Sequence, residues 1–233
     1  MGQRLLCTTT RRKRQGSQGF VLRKIAFQGQ TDNVTDFNTW NRGYERLGSQ
    51  ILEQGTNPDL KEGYFIGEEI STDHPYFIGK KLNSGPNLWP ETMSGVDDFR
   101  ATSMEYYTQM HALARDVLAV IAQTLDLKDD YFAEFTNGAV ATLRYLHYPP
   151  QPADSDEKLA RGIGAHTDFG SVTLLMQGDV DGLQVYDKDT NEWLDVCLSI
   201  IETRLCMTND FSGCTYQRSL CRQLGQHVHA MVS

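Results

Sequence analysis

The sequence predicts an α+β fold, with a mainly helical N-terminal part followed by a β-rich C-terminal part. Two observations lead to this prediction: one long amphipathic stretch ends near residue 126, and short apolar runs separated by turn residues follow residue 137. Apolar residues at steps of three and four are typical of a helix, whereas short runs bounded by glycine, proline and polar residues are typical of strands. We therefore expect antiparallel strands that close as a sandwich or a barrel.

The clearest element is a long helix predicted over residues 98–126. Its apolar residues recur at three- and four-residue steps and form one stripe: Met104, Tyr107, Met110, Leu113, Val117, Ile121 and Leu125. Such a stripe marks the face that a helix buries against a core. The helix ends where the polar segment DLKDD begins, and a second short helix is predicted through YFAEF.

The β-rich part contains four candidate strands. Residues 141–150 (ATLRYLHYPP) predict a strand that ends at two prolines, and residues 171–177 (SVTLLMQ) predict a buried strand. Residues 182–187 (GLQVYD) and 192–196 (EWLDV) bracket the polar tetrapeptide KDTN, which is typical of a β-hairpin. Between residues 36 and 96, by contrast, the prolines, glycines and asparagines predict turns between short elements.

Composition narrows the class of partner. The 22 basic and 30 acidic residues give a net charge of −8, which provides no general attraction to nucleic acid or to an anionic membrane surface. The N-terminus has a basic cluster but no apolar core of a secretory signal. We therefore expect a cytoplasmic protein with a small-molecule substrate, no nucleic-acid partner and no membrane partner.

Residues 162–177, GIGAHTDFGSVTLLMQ, contain a candidate metal site. In an extended segment, His166 and Asp168 would point to the same face, so an imidazole and a carboxylate would converge. With a second histidine they would form the two-histidine, one-carboxylate triad that binds non-haem Fe(II). The alternative is a polar turn in which the aspartate caps a backbone N–H group.

The segments around this pair resemble a known family. GAHTDFGSVTLLMQ and GLQVYDKDTNEWLDV are similar to the core of the Fe(II)- and 2-oxoglutarate-dependent dioxygenases of the isopenicillin N synthase type. NRGYERLG, DLKEGYFIG, GPNLWP and LRYLHYPP extend the resemblance, which covers residues 36–196. It implies a double-stranded β-helix, or jelly roll, with the long helix packed along one sheet.

The resemblance also implies a site and a reaction. His166 and Asp168 match the first two iron ligands, and Tyr148 matches a tyrosine that contacts 2-oxoglutarate, although Tyr148 suits the role of a core aromatic equally well. The asparagine that often stands two residues before this tyrosine is Leu146 here. The implied protein is an oxidoreductase that uses Fe(II), 2-oxoglutarate and O2 to oxidise a small organic molecule, with secondary metabolism as the candidate setting.

The resemblance breaks after Val196. Aligned through TNDF (208–211), the chain has Gln217 where the family has its third ligand, a histidine, and no R-x-S motif follows to bind 2-oxoglutarate. Amide oxygen is a poor replacement for imidazole in binding Fe(II). His227 or His229 would have to supply the missing nitrogen, from beyond the expected position. We interpret the altered tail as a product of alternative splicing or a shifted reading frame.

The break leaves two alternatives to an active dioxygenase. The first is a catalytically inactive isoform or remnant that lacks the third ligand and the 2-oxoglutarate arginine. The second is a zinc-binding protein that uses His227, His229 and the C-terminal cysteines. The five cysteines are Cys7, Cys197, Cys206, Cys214 and Cys221. No pair of them has the short C-x2–4-C spacing of zinc knuckles.

We divide the chain into three parts on this basis. Residues 1–35 are atypical, and we expect little order there because they lack a sustained apolar period. Residues 36–136 form the mostly helical N-terminal dioxygenase region. Residues 137–233 form the Fe(II)/2-oxoglutarate dioxygenase domain, which is typical only to residue 196, so we expect the C-terminal part of the jelly roll to be incomplete.

Overall fold

The computed structural model describes most of the middle of the chain and the strands that follow it. The described residues are 40–136, 141–151, 161–168, 172–176, 182–196, 204–207, 216–218 and 227–232. For the last three of these segments, only the backbone is described. The segment 1–35, for which we expect little order, lies outside the described residues.

The described N-terminal part contains three helices: α1 (Pro75–Ile78), α2 (Val96–Thr124) and α3 (Ala133–Thr136). The predicted long helix and the short helix after it are therefore both present. Helix α2 begins after Gly95, whose φ of 81° is accessible to glycine without strain. Asp97 and Asp98 occupy its first turn, where negative charge interacts favourably with the helix dipole. No helix in the described part of the chain is long and apolar enough to cross a membrane.

The described residues form ten strands in two antiparallel sheets. Their bounds are β1 (Gly43–Glu45), β2 (Glu62–Gly67), β3 (Thr142–Tyr148), β4 (Ile163–His166), β5 (Val172–Met176), β6 (Leu183–Asp187), β7 (Glu192–Asp195), β8 (Arg204–Met207), β9 (Tyr216–Arg218) and β10 (His227–Val232). The large sheet has the order β1-β2-β3-β10-β5-β8, and the small sheet has the order β4-β9-β6-β7. Strands β3 to β10 are thus shared between two facing sheets, as in a jelly roll.

The predicted strands in the β-rich part are present as β3, β5, β6 and β7. The β6–β7 hairpin pairs Asp187 with Glu192 across a four-residue turn, in which Asn191 has a φ of 56°. Asparagine is one of the few residues that adopt this conformation readily. The KDTN tetrapeptide therefore acts as the turn that its composition predicts.

Strands β1 and β2 were not predicted, because the sequence there was interpreted as turns. The N-terminal part therefore contributes strands as well as helices. Strand β2 is buried on consecutive residues, so it lacks the alternation of polar and apolar residues that identifies a half-buried strand. Its neighbour Lys61 is also buried and binds Glu45 and Gln50, so charged residues in this region do not mark the surface.

The two faces of the large sheet have different neighbours. On one face, Ile66 of β2 and Leu143 of β3 pack with Tyr107 of α2. On the other face, Leu146 of β3 packs with Ile163 of β4, which belongs to the small sheet. Because side chains alternate along a strand, even-numbered residues of β3 point between the sheets and odd-numbered ones point to the helix side. The candidate site lies on the side between the sheets.

Helix α2 also covers β5. Leu118 and Ile121 of the helix pack against Val172 and Leu174 of the strand. Thr173, between those two strand residues, therefore points to the opposite face, between the two sheets. This alternation places a hydroxyl group near the segment that carries the predicted metal ligands.

Candidate metal centre

Strand β4 positions His166 through a β-bulge. Ile163 pairs with Arg218 of β9 and His166 pairs with Tyr216, so three steps along β4 correspond to two along its partner. In a regular strand, residues three positions apart point to opposite faces. A bulge adds one residue to one strand and changes the face on which the later side chains lie. The bulge therefore brings His166 back to the face of Ile163, which lies between the sheets.

His166 and Asp168 approach each other at the end of β4. His166 Nε2 lies 3.7 Å from Asp168 Oδ1, and both side chains are mostly buried. His166 Nδ1 lies 2.8 Å from the carbonyl oxygen of Gly164. Because a carbonyl oxygen only accepts hydrogen bonds, Nδ1 carries the proton and Nε2 has the lone pair that binds a metal. The ring is thus oriented as in metal-binding histidines.

The two residues converge in a different way from the one predicted. The sequence predicts that both lie in one extended strand, but β4 ends at His166 and Asp168 follows it. The carboxylate is instead positioned by β5, because Thr173 Oγ1 donates a hydrogen bond of 2.6 Å to Asp168 Oδ2. That bond orients the carboxylate so that Oδ1 is the oxygen nearer the imidazole.

Two carboxylates from the segment before β2 bind the backbone of β4. The amide of Gly164 donates to Asp59 Oδ1 at 2.9 Å, and the amide of Ala165 donates to Glu53 Oε2 at 3.0 Å. Strand β4 is an edge strand of the small sheet, so its outer amides have no neighbouring strand in the described sheets. The carboxylates satisfy these amides and fix the strand that carries His166.

Asp59 is almost completely buried, with 1% of its surface exposed. Burial raises the pKa of its carboxyl group, an effect that the Gly164 amide and the nearby charge of Lys61 partly oppose. The backbone of β4 also lies close to the segment that contains Glu53, since a Cβ atom added at Gly164 would lie 2.7 Å from Glu53 Cβ. Glycine is therefore required at position 164 by the contact with this segment.

Tyr148 is located next to the same interior. It is 5% exposed and packs with Leu146 and Ile163 between the sheets. Its role as a core aromatic is therefore visible in the structure, and its contact with 2-oxoglutarate stays a prediction. Leu146 is buried as well, so an apolar side chain occupies the position where the family often has asparagine.

The third ligand is not present among the side chains that the structure describes, where no group of three or more His, Cys, Asp or Glu residues is suited to a metal. The backbone of Gln217 lies in β9, next to the residue paired with His166. The backbones of His227 and His229 lie in β10, opposite Tyr148 and Leu146. The side chains of these three residues are outside the description.

The predicted zinc cluster falls largely outside the described residues. Cys197, Cys214 and Cys221 are not described, and Cys206 is described only as backbone of β8. The other alternative, an inactive isoform, depends on the side chain at position 217, which is also outside the description.

Sequence reasoning missed the residues that orient the two predicted ligands. Thr173 lies in a predicted strand. Its bond to Asp168 depends on its position on the face of β5 that does not pack against α2. Asp59 lies in the part of the chain between residues 36 and 96 whose composition predicts turns, and its role depends on the edge position of β4. Lys61 and Glu62, in the segment DLKEGYFIG, are adjacent in sequence and of opposite charge, which suggests a surface or structural pair. They are structural but not paired together, since Glu62 accepts from Tyr44 and lies 2.7 Å from His147 Nδ1.

The residues present fit a divalent metal. One imidazole nitrogen and one carboxylate oxygen converge, and each is oriented by a further hydrogen bond. Mixed nitrogen and oxygen donors with hydrogen-bonded outer contacts are typical of Fe(II) sites that retain open positions. The arrangement supplies two of the three protein donors of such a site.

Two family models match the chain. The model described as the 2OG-Fe(II) oxygenase superfamily matches residues 138–216, which include both predicted iron ligands and Tyr148. A model described as the N-terminal region of the non-haem dioxygenase in morphine synthesis matches residues 31–92. The two matches lie on either side of α2.

Fungal proteins of similar sequence match about two thirds of the chain. A 2-oxoglutarate-Fe(II) type oxidoreductase of Emericella nidulans is 62% identical over 161 residues, which is 69% of this chain and 46% of that protein. A 2-oxoglutarate-dependent dioxygenase of Monascus ruber is 42% identical over 162 residues, 68% of this chain and 49% of that protein. The chain therefore spans about half the length of these relatives.

Solved structures share the fold. A full-length Neurospora crassa protein, crystallised in complex with alpha-KG and thymine, superposes with a TM-score of 0.70 at 24% identity, over 92% of this chain and 69% of that one. A 2OG-Fe(II) oxygenase family protein of Caulobacter crescentus superposes with a TM-score of 0.68 at 22% identity, over 92% of this chain and 70% of that one. At these identities, the likeness supports the fold alone.

Proposed function

Because this chain belongs to the 2OG-Fe(II) oxygenase superfamily, we propose that it oxidises a small organic molecule with Fe(II), 2-oxoglutarate and O2. The observation that carries the proposal is the convergence of His166 Nε2 and Asp168 Oδ1, 3.7 Å apart in the interior between the two sheets. A similar fungal protein of Penicillium crustosum, 38% identical over 163 residues, is named a clavatol oxidase, and this name supports a small organic substrate.

The described residues around the candidate site have separate roles in this proposal. His166 Nε2 and Asp168 Oδ1 bind Fe(II), and Thr173 keeps the carboxylate turned towards the metal. The hydroxyl group of Tyr148 donates a hydrogen bond to a carboxylate of 2-oxoglutarate. The bound Fe(II) supplies the redox chemistry that couples decarboxylation of 2-oxoglutarate to oxidation of the substrate. Leu146 and the other apolar residues around the site exclude water.

The third protein donor is part of the proposal. Strand β9 pairs directly with β4, so position 217 lies in the strand next to His166. Because Tyr216 is the residue paired with His166, position 217 lies on the other face of β9, so we propose that the third donor comes from a residue after Val196 other than Gln217. The predicted incompleteness of the C-terminal part of the jelly roll stays a proposal, because the backbones of β8, β9 and β10 pair within the two sheets but the residues between them lie outside the description.

The proposal is tested by turnover. The full chain is incubated with Fe(II), 2-oxoglutarate and O2, and succinate is measured with and without each component. We expect iron-dependent succinate formation. Asp168→Ala is expected to abolish succinate formation, whereas Asp116→Ala, on the exposed side of α2, keeps it. Equal turnover in the two variants, or none in the unmodified chain, would reject the proposed activity.

A further inference from the structure

Two polar side chains of β3 point into the interior between the sheets. Leu143 packs on the helix side of the large sheet, and Leu146 packs against Ile163 of the small sheet. Since alternate residues of a strand share a face, Thr142 and Arg144 lie on the same face as Leu146. A hydroxyl group and a guanidinium group therefore stand side by side along β3, facing the small sheet.

Both groups contain a buried polar atom with no hydrogen-bond partner among the described residues. These atoms are Oγ1 of Thr142 and Nε of Arg144. Thr142 is only 1% exposed, so solvent does not replace the missing partner. Buried polar groups in folded proteins are nearly always paired, and two unpaired donors in neighbouring positions indicate an acceptor that a ligand supplies.

The surroundings of Arg144 favour an anionic acceptor. Its guanidinium lies over the ring of Phe65, 5.0 Å from the ring centroid, and Phe65 is its direct partner across the β2–β3 pair. No carboxylate forms an ion pair with Arg144 in the described ranges. A guanidinium that stacks with one face on a ring keeps its N–H groups in the plane, where a carboxylate binds.

The sheet register places this pair beside the candidate metal centre. Met231 of β10 pairs with Arg144 on one side and with Leu175 on the other. Leu175 lies two residues after Thr173, which holds Asp168. Strands β3 and β5 are separated only by β10, so their backbones are about 10 Å apart. A ligand of a few carbon atoms spans that distance.

We propose that Arg144 and Thr142 form a carboxylate-binding pair that receives the remote end of a ligand held at the metal centre. The ligand carboxylate belongs either to 2-oxoglutarate, at the end distant from the metal, or to the organic substrate. The identity of the ligand rests on the proposed function. The pair itself rests on the two unpaired donors, their shared face and the charge of the guanidinium.

The first experiment compares two ligands in the Fe(II)-loaded full chain under anaerobic conditions. 2-Oxoglutarate and 2-oxovalerate have equal chain lengths, but 2-oxovalerate lacks the distal carboxylate. By calorimetry, Arg144→Met is expected to weaken 2-oxoglutarate binding by about 10- to 100-fold, the usual effect of losing hydrogen bonds to a charged group. Binding of 2-oxovalerate should be unchanged. The matched control is Arg115→Met, because Arg115 is exposed on α2.

A second arm tests the substrate as the source of the carboxylate. Benzoate binding is measured in the presence of saturating 2-oxoglutarate. If 2-oxoglutarate binding is unchanged in Arg144→Met but benzoate binding is lost, the pair serves the substrate. If Arg144→Met matches Arg115→Met for both ligands while circular dichroism shows a folded chain, the proposal is wrong.

Two further variants test the carboxylate-binding pair if Arg144→Met does not fold. Thr142→Val removes only the hydroxyl group and keeps the shape of the side chain, and it should weaken the same ligand by a smaller factor. Arg144→Lys keeps the charge and should restore part of the binding. If both variants bind each ligand as the unmodified chain does, the pair has no role in carboxylate binding.

The metal-free chain separates this proposal from the proposed function. Glutarate is the probe, because it retains both carboxylates and lacks the keto group. Glutarate binding that depends on Arg144, in a chain without iron-dependent turnover, would keep the carboxylate pair and reject the dioxygenase activity. Iron-dependent turnover in a chain whose carboxylate binding does not depend on Arg144 would keep the dioxygenase activity and reject the carboxylate pair.

Discussion

At the scale of single residues, the candidate site depends on hydrogen bonds that aim the donor atoms. Gly164 fixes the ring of His166 through its carbonyl group, and Thr173 fixes the carboxylate of Asp168 through its hydroxyl group. Neither bond involves the atom that binds the metal in our proposal. Such contacts fix the orientation of the metal-binding side chains before the metal binds, so these side chains lose less freedom on binding.

The variant Thr173→Val tests this dependence. Valine keeps the shape of threonine but cannot donate to Asp168 Oδ2, so the carboxylate loses its orienting bond. We expect Fe(II) affinity to fall by about 10- to 100-fold, measured by anaerobic titration. Thr108→Val, on the exposed side of α2, is the matched control. Equal affinities in the two variants would show that Thr173 does not orient the ligand.

Gln217→His tests whether position 217 faces the metal. Position 217 lies on the face of β9 opposite to that of Tyr216, the partner of His166, so we expect Fe(II) binding in an anaerobic titration to be unchanged, and a gain of about tenfold or more would contradict this register. Gln109→His, on the exposed side of α2, controls for adventitious binding by an added histidine. If both variants bind iron alike, position 217 is not a ligand position.

At the scale of elements, β4 is the strand on which the site depends. It is a short edge strand, and its outer amides bind Asp59 and Glu53 instead of another strand. The segment before β2 therefore acts as a substitute for a neighbouring strand. This arrangement links the N-terminal part of the chain to the metal centre through the backbone of Gly164 and Ala165.

Asp59→Ala and Asp59→Asn distinguish this role from simple packing. Alanine leaves the amide of Gly164 without an acceptor, which costs about 1–3 kcal/mol in the free energy of unfolding. Asparagine keeps a carbonyl acceptor and removes a buried charge, so it should be the more stable of the two variants. Urea unfolding measures both. An Asp59→Asn variant as unstable as Asp59→Ala would mean that the acceptor is unimportant.

The β6–β7 hairpin has a pH-dependent turn. The carboxylate of Asp187 accepts from the amides of Asp189 and Thr190, and these bonds hold the pKa of Asp187 below its ordinary value of 3.8. Since the folded-state pKa is lowered, the stabilisation is present above pH 3.8 and is lost as the pH falls through the folded-state pKa. An NMR titration of the carboxyl carbon should give a pKa below 3.8. A value at or above 3.8 would mean that the turn does not bind the ionised form.

At the scale of the whole molecule, the long helix, the hairpin and the His-x-Asp pair could be predicted because their signals are local. The stripe of α2 and the KDTN turn are each visible within a single segment. Strands β1 and β2 could not be predicted, because β2 is buried on consecutive residues and its charged neighbours are paired inside the fold. Thr173, Asp59 and Arg144 could not be assigned either, since their roles depend on register and on which face another element covers.

We propose that His166 and Asp168 form the metal centre of this chain, and an anaerobic Fe(II) titration tests this. Three forms are compared: the unmodified chain, His166→Ala and the control His111→Ala. His111 stacks on Tyr107 in α2 and takes no part in the site. We predict one Fe(II) per chain in the unmodified and control forms, and no measurable binding in His166→Ala. Unchanged Fe(II) binding in His166→Ala would mean that His166 is not a metal ligand.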